Sequence, residues 1–596
     1  MSINDVDGGG GPDAVVSIRD LSVSFATPHR TTHALTNIDL DVRRGRCLCL
    51  VGESGSGKTV LSRALLQLID PPGRIDTGSV VLQTHVDQTG VDILQLPRKA
   101  PQLRSIRGGV VATIFQEPMA ALSPVHTIGR QMAENLLLHA DVTAQTVRTR
   151  AEQELAAVGL TEPARVFDSY SFELSGGMRQ RAMIAMALST RPAILIADEP
   201  TTALDVTSQS RVLDLLRERT IELGMTMIFV THDLGVVAEI ADDVCVMQAG
   251  KVVEAGTVDD VFHAPRASYT KTLLASRPAT KSVSAVSRGA GDSAQQASPI
   301  VAIENLDITF AARRSRRRMF GRAGAPAREA VRAVRSVNLA VHEGQTLGIV
   351  GESGSGKTTV GRTVLGVYRP DAGGVTVRRR DGTTISVADA NKEELRELRT
   401  DVRMIFQDPY GSLNPRLTVR QLIAESLIVN HLALGSELED RVAQSVKNVK
   451  LPADILSRYP HEFSGGQRQR ISIARALVTG PRVVVADEAV SALDASVRAN
   501  VLDLLAELQQ DLGLTYLFIS HDLSVVSAIC DEVAVMRHGE VVEQGPCHDV
   551  FHSPQHEYTQ RLLAAVPVND PRDRTHRPTG GPRSTTLEVS DAGTHR

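Results

Sequence analysis

The chain has 596 residues, 42% of them apolar, too many for one ordinary domain and enough for several buried cores. Its formal net charge of -4 excludes both a nucleic-acid coat and a strongly acidic chain, and its five scattered cysteines, with no CxxC pair, point to free thiols rather than a disulfide scaffold or zinc cluster. No run approaches the roughly 20 apolar residues that a membrane helix needs.

Residues 1–14 read as a disordered tail and lack the basic start and apolar stretch of a secretory signal. A first folded unit is expected over 15–276. It opens on the strand LSVSF, which ends at Phe25. The run RCLCLV, with Cys47 and Cys49 alternating, reads as a buried strand and leads straight into GESGSGKT, Gly52–Thr59. IFQEP, Ile114–Pro118, is followed by a mostly helical segment from about Pro118 to Leu188 that contains LSGGMRQR, Leu174–Arg181. ILIADE, Ile194–Glu199, and MTMIFV, Met225–Val230, are continuously apolar, as strands buried on both faces are. VLDLLRERTIEL has helical spacing between them, and VTHDL then brings His232. The unit closes on VFHAPRASYTKTLL, Val261–Leu274.

Residues 277–299, rich in Ser, Ala, Gly and Gln, read as a flexible linker. The second unit, 300–568, repeats the landmarks in order: LDITF ending at Phe310, GESGSGKT at Gly351–Thr358, IFQDP, FSGGQRQR, VVVADE, TYLFI, SHDL and VFHSPQHEYTQRLL. The offsets 487 − 198 and 521 − 232 both give 289, so no net insertion separates the Asp-Glu pair from the His in either unit. So long a period means two tandem domains rather than a solenoid. Alternating strands and helices imply an α/β fold, each domain a mainly parallel sheet core with an inserted helical subdomain. Residues 569–596, polar with Pro and Gly, read as a second disordered tail.

GxxxxGK[ST] after an apolar strand and before a helix is a phosphate-binding loop. In this reading Gly52, Ser54, Gly55 and Gly57, and Gly351, Ser353, Gly354 and Gly356, shape a backbone whose N–H groups face phosphate. Lys58 and Lys357 would reach the β- and γ-phosphates, and Thr59 and Thr358 would ligate Mg²⁺. Asp198 and Asp487 end buried strands, where a carboxylate without a task is costly, and suit Mg²⁺ coordination. The adjacent Glu199 and Glu488 suit a general base on the attacking water. Two other patterns carry less. His548, His552 and His556 have metal-ligand spacing, but Pro554 interrupts the helix. The run RRSRRR, Arg313–Arg318, reads as a solvated loop.

Phosphate loop, Gln after a strand, Ser-Gly-Gly, Asp-Glu, Ala-Leu-Asp (Ala203–Asp205 and Ala492–Asp494) and His, in that order, resemble the nucleotide-binding domains of ABC transporters over nearly all of both halves. The resemblance implies head-to-tail pairing, with each ATP between the phosphate loop of one half and the signature of the other. Lys58 and Thr59 would then share a site with Ser464, Gly465 and Gly466, and Lys357 and Thr358 one with Ser175, Gly176 and Gly177. It also implies that Gln116 and Gln407 sense the γ-phosphate and Mg²⁺, that His232 and His521 touch the γ-phosphate, and that Phe25 and Phe310 are candidates to stack on adenine.

LSGGMRQRAMIAMAL with DEPTTALD resembles the first ATPase of oligopeptide and dipeptide importers, and FSGGQRQRISIARAL with DEAVSALD the second. Met178 is normal for the first type, and Ala489 replaces a usual Pro. The implied activity is ATP hydrolysis coupled to import, most directly of short peptides, with nickel chelates and glutathione-like compounds in the same subfamily. The implied place is peripheral, on the cytoplasmic face of the membrane. The implied partners are two transmembrane permease subunits and, through them, an extracytoplasmic solute-binding protein, with no nucleic acid. Many relatives carry a cysteine-rich segment after the YTxxLL region, some with an iron–sulfur cluster. No Cys follows Tyr269 within the first half or Cys547 in the second, so no cluster is expected. Three alternatives are weighed. A DNA-repair tandem cassette would carry zinc-binding Cys clusters, which the sequence lacks. A tandem cassette acting on ribosomes would carry a long charged helical linker, unlike 277–299; an exporter ATPase with separate membrane subunits is opposed only by the importer-like signatures.

Overall fold

A computed structural model describes residues 13–26, 31–83, 90–116, 121–202, 204–275, 298–310, 330–491 and 493–576. Residues 1–12 of the expected N-terminal tail, all of the expected linker except 298 and 299, and the arginine run 313–318 lie outside these.

Each half is built on a six-stranded sheet. In the first half Lys251–Thr257, Asp243–Gln248, Cys47–Val51, Thr226–Val230, Ile194–Asp198 and Val111–Ile114 lie side by side, all parallel except the antiparallel edge Lys251–Thr257. The second half repeats this with Glu540–Pro546, Glu532–Arg537, Thr346–Val350, Thr515–Ile519, Val483–Asp487 and Val402–Ile405. The continuously apolar runs are these central strands, buried along their whole length. Their side chains alternate between two cores, as the period of a strand requires. Cys47, Cys49 and Val51 face the helical side, while Leu48 and Leu50 face a second sheet.

That second sheet is four-stranded and antiparallel, and it is an addition to the architecture the sequence implies. It comprises Thr31–Arg43, Ala14–Ala26, Gly73–Leu82 and Val91–Asp92, with Val331–Val341, Val301–Phe310, Ala372–Arg378 and Thr384–Ser386 as its counterpart. The inserted subdomains are helical: Ile128–His139, Val147–Ala157, Pro163–Asp168 and Gly176–Leu188 in the first half, and Val419–Val429, Gly435–Asn448 and Gly465–Leu477 in the second. Among the described residues no helix is long and apolar enough to cross a membrane.

The chain does not become a loose tail at residue 569. Val568 N–H donates to Glu239 Oε2 at 3.4 Å, Asp570 meets His263 Nε2 at 3.1 Å, and Pro571–His576 forms a 3₁₀ helix. From there the Arg574 guanidinium donates to the carbonyls of Val237 (3.2 Å), Ala241 (2.7 Å) and Ala238, at the end of the first-half helix Leu234–Ile240. The last carbonyls of a helix lack intrahelical partners, so a guanidinium there satisfies groups that would otherwise need water. The expected boundary at 569 therefore moves: residues 569–576 strap the second half to the first, and 577–596 lie outside the described residues.

Candidate functional site

The two GESGSGKT loops leave the C-terminal ends of Cys47–Val51 and Thr346–Val350 and run into Lys58–Ala64 and Lys357–Val364. Gly52 and Gly351 have φ of 150° and 148°, and a Cβ on either would lie 2.2 or 2.1 Å from the carbonyl oxygen of Met247 or Met536. Gly55 and Gly354 also have positive φ, at 79° and 83°, but a Cβ there would meet nothing within 4 Å. The first glycine of each loop is thus required by the fold, and the middle one keeps the loop open on its outer side. Lys58 Nζ donates to the carbonyls of Gly52 (2.7 Å) and Glu53 (2.9 Å), and Lys357 Nζ to those of Gly351 (2.7 Å) and Glu352 (2.8 Å). Burial lowers both ammonium groups below their ordinary value, against the pull of nearby carboxylates, Glu199 first for Lys58 and Glu488 first for Lys357.

The hydroxyl of Thr59 donates to Asp198 Oδ1 at 3.2 Å, and that of Thr358 to Asp487 Oδ1 at 3.0 Å. Burial raises both aspartates, and the threonine hydrogen bonds offset only part of it. The next residues, Glu199 and Glu488, have φ of 46° and 49°, left-handed values that cost a non-glycine residue about 1–3 kcal/mol. Backbone hydrogen bonds to the neighbouring strand hold them there: Glu199 N–H to Val230 O at 3.0 Å and Glu488 N–H to Ile519 O at 2.8 Å. Gln116 Nε2 donates to Glu199 Oε2 at 2.8 Å, and His232 Nδ1 lies 3.1 Å from Oε1. The counterparts are Gln407 Nε2 to Glu488 Oε2 at 2.5 Å and His521 Nδ1 to Oε1 at 3.0 Å. Burial, the largest single influence, would raise both glutamates; the histidine bond and charge together with the nearby lysine, and for Glu199 the Thr202 hydroxyl, leave them below the ordinary carboxylate value. Burial pulls His232 down, but the Glu199 bond and charge, with the charges of Asp233 and Asp494, together raise it above its ordinary value.

The two halves interlock where the phosphate loop of one meets aspartates of the other that the phosphate and carboxylate chemistry did not single out. Ser54 N–H donates to Asp494 Oδ2 at 3.0 Å, and Ser353 N–H donates to Asp205 Oδ2 at 3.4 Å. Thr207 Oγ1 adds a bond to Glu352 Oε1 at 2.8 Å. Each aspartate closes an Ala-Leu-Asp triplet of one half and reaches the phosphate loop of the other. The recurrence of that triplet was the available signal, but nothing in one chain says which loop it meets. Ser175 and Ser464 are exposed and cap the helices Gly176–Leu188 and Gly465–Leu477, accepting from Met178 N–H at 3.3 Å and Gln467 N–H at 3.4 Å. A Cβ on Gly176, Gly177 or Gly465 would meet nothing within 4 Å, whereas one on Gly466 would strike Val497 at 2.4 Å. Phe25 ends Ala14–Ala26 half-buried against Gly73, while Phe310, 39% exposed, stands edge-on to Tyr368 at 5.2 Å. Of the His548, His552 and His556 trio, the first two rings stack at 4.3 Å and His556 caps Glu557–Ala564, accepting from Tyr558 N–H.

Residues 35–202 and 334–491 match the family "ABC transporter", and residues 253–316 and 542–592 match "Oligopeptide/dipeptide transporter, C-terminal region". The chain is 44% identical over 584 residues to the glutathione import ATP-binding protein GsiA of Salmonella typhimurium, covering 95% of this chain and 91% of that protein. It is 44% identical over 582 residues to the protein of the same description from Escherichia coli K12, covering 94% and 91%. With two loop–carboxylate–histidine centres in one polypeptide and matches over both halves, the chain belongs to the ABC transporter family, as an ATP-binding, ATP-hydrolysing subunit of an importer that carries both cassettes in tandem.

Proposed function

We propose that this chain drives uptake of a short peptide, with glutathione-like compounds as the first candidates. It would work through two membrane permease subunits supplied by an extracytoplasmic solute-binding protein and would sit on the cytoplasmic face of the membrane. The observation that carries the coupling is the pair of crossed hydrogen bonds, in which Asp494 accepts from the Ser54 N–H and Asp205 from the Ser353 N–H, while the solute class rests on the likeness to the glutathione-import relatives. Bonds of that kind make each phosphate loop sensitive to the position of the opposite half. ATP held by the Lys58 loop on one side and Ser464–Gly466 on the other favours the closed pair, and so does ATP between the Lys357 loop and Ser175–Gly177. Loss of the γ-phosphate removes that preference, and only such a difference in affinity can drive a cycle.

Within each site we assign Lys58 and Lys357 to the β- and γ-phosphates, and Glu199 and Glu488 to accepting the proton of the attacking water. His232 and His521 orient those carboxylates and face the γ-phosphate. A hydroxyl and a carboxylate oxygen 3.2 Å apart in one half and 3.0 Å apart in the other suit a hard divalent cation, which takes oxygen ligands. Thr59, Asp198 and Gln116, and Thr358, Asp487 and Gln407, would hold Mg²⁺, which when bound neutralises phosphate charge. Phe25 and Phe310 lie on the strands offered to the adenine. A groove lined by Phe115, Leu122, Met183 and Met186, next to Gln116, is apolar, with Phe115 its exposed side chain, and suits a permease segment.

The test is complementation. Deleting the gene abolishes uptake of glutathione or of a short peptide, the intact gene restores it, and Lys58→Ala or Lys357→Ala does not. Uptake of these solutes that survives the deletion, with the protein copurifying with ribosomes, refutes the importer reading.

A further inference from the structure

Each phosphate loop is also held from behind, by a tyrosine far away in sequence. Glu53 N–H donates to the Tyr269 hydroxyl at 3.2 Å, and Glu352 N–H donates to the Tyr558 hydroxyl at 3.1 Å. The separations are 216 and 206 residues, yet the loop position is the same: the residue after the first glycine. Both tyrosines lie in the first turn of the last α-helix of their half, Ser268–Ala275 or Glu557–Ala564, within the repeated YTxxLL motif. Those helices are fixed at their N-terminal ends. Glu254 accepts from Arg266 N–H (2.7 Å) and Ala267 N–H (3.1 Å), and Glu543 from Gln555 N–H (2.7 Å) and His556 N–H (3.1 Å). Both glutamates belong to the edge strand of the main sheet, so the segment carrying the tyrosine is tied by two N–H···carboxylate hydrogen bonds to the sheet from which the loop springs.

Consecutive peptide N–H groups of one loop therefore go to opposite halves. Glu53 N–H is taken by Tyr269 of the same half and Ser54 N–H by Asp494 of the other; Glu352 and Ser353 repeat this with Tyr558 and Asp205. The Asp bond can be made only while the halves are together, whereas the tyrosine bond is internal to one half. We propose that Tyr269 and Tyr558 are positioning residues for ATP binding. Each hydroxyl pins the second residue of the phosphate loop, keeps the following N–H groups aimed outward when the halves part, and ties the nucleotide site to the C-terminal region of its cassette. This rests on reading the loops as the phosphate sites.

The second half holds its tyrosine more firmly. Tyr558 is 3% exposed with the Arg537 guanidinium 5.0 Å over its ring, whereas Tyr269 is half-buried and the corresponding strand end is Gln248.

The experiment uses the full chain with Tyr269→Phe, Tyr558→Phe and both together, which remove only the acceptor oxygen. Losing one such bond is worth on the order of 5- to 10-fold in an equilibrium constant. The expected result is a rise of about that size in the Kd and KM for ATP in the double variant. Turnover at saturating ATP and Tm should stay near those of the parent, and Tyr558→Phe should exceed Tyr269→Phe. Glu254→Gln with Glu543→Gln, which loosens the helix instead, should move KM the same way by less. An unchanged KM overturns the proposal, as does a fall in Tm and turnover with KM unmoved, which is the mark of a purely structural tyrosine. Lys58→Ala with Lys357→Ala separates the two readings. If it leaves ATP binding intact, the phosphate-site reading falls and takes this proposal with it; if it abolishes binding while both Tyr→Phe changes leave KM unmoved, this proposal alone falls.

Discussion

Glu199 and Glu488 occupy corresponding points of the two cassettes, with the same left-handed backbone and the same glutamine and histidine partners. Their third neighbour differs. Thr202 Oγ1 donates to the Glu199 carboxylate at 3.0 Å, while Ser491 Oγ donates to the backbone carbonyl of Glu488 at 3.0 Å and leaves the carboxylate alone. The signature helices differ in the opposite sense. Gln467 Oε1 accepts from Ser464 N–H at 3.1 Å and completes a reciprocal cap, which Met178 cannot do for Ser175. The first cassette therefore restrains its carboxylate more, and the second restrains the helix that the resemblance assigns to the first cassette's ATP. Since each site would combine the base of one half with the signature of the other, both stronger restraints fall on the site of Lys58, Glu199 and Ser464. The glutamine and histidine contacts of the carboxylate are duplicated; its hydroxyl contact and the cap of the signature helix have diverged.

The harshest test of this comparison is to remove both bases. Glu199→Gln with Glu488→Gln should lower phosphate release by about 10²–10⁴-fold, the usual cost of losing a general base, and keep ATP binding. Turnover near that of the parent would show that neither carboxylate is the base. The single changes ask whether the centres are equal: if the better-restrained site works harder, Glu199→Gln costs more than Glu488→Gln.

A gentler test addresses the third neighbour directly. Thr202→Ala removes a hydroxyl hydrogen bond to a carboxylate, an interaction worth on the order of 1 kcal/mol, so ATP hydrolysis should slow by roughly 5-fold. Ser491→Ala touches only a backbone carbonyl and should leave the rate almost unchanged. Equal effects in a phosphate-release assay would erase the distinction drawn between the two centres.

The smallest expected effect is in pH dependence. His232 is raised above its ordinary value by Glu199, despite burial. A group raised on folding contributes stability that is fully present below its unfolded pKa, about 6.5, and is lost as pH rises through the folded value. His232→Gln should therefore lower Tm relative to the parent near pH 6, on the order of a degree or two, with the difference closing toward pH 9. A gap that widens with pH would reverse the sign and rule out this ion pair. The glutamates act at the other end: lowered on folding, they contribute stability above their unfolded range that is lost as pH falls through the folded values.

The sequence by itself determined what local chemistry writes down. Glycines at Gly52, Gly55, Gly351 and Gly354 announce left-handed backbone. Unbroken apolar runs such as Ile194–Asp198 announce strands covered on both faces, and the repeated order of motifs announces two copies of one machine. The antiparallel sheets were hidden because their alternation is interrupted. Ala14–Ala26 slips register between Ile18 and Leu21, with Asp20 at φ 47°, so no clean period of two survives. Only the tertiary structure decided the contacts between distant segments: Asp494 on Ser54, 440 residues away, Tyr269 behind Glu53, and Arg574 on the last carbonyls of Leu234–Ile240. Each is a side chain meeting a peptide group on another element. Such a bond leaves no periodicity and no composition in either segment, so it exists only once the fold has brought the two together.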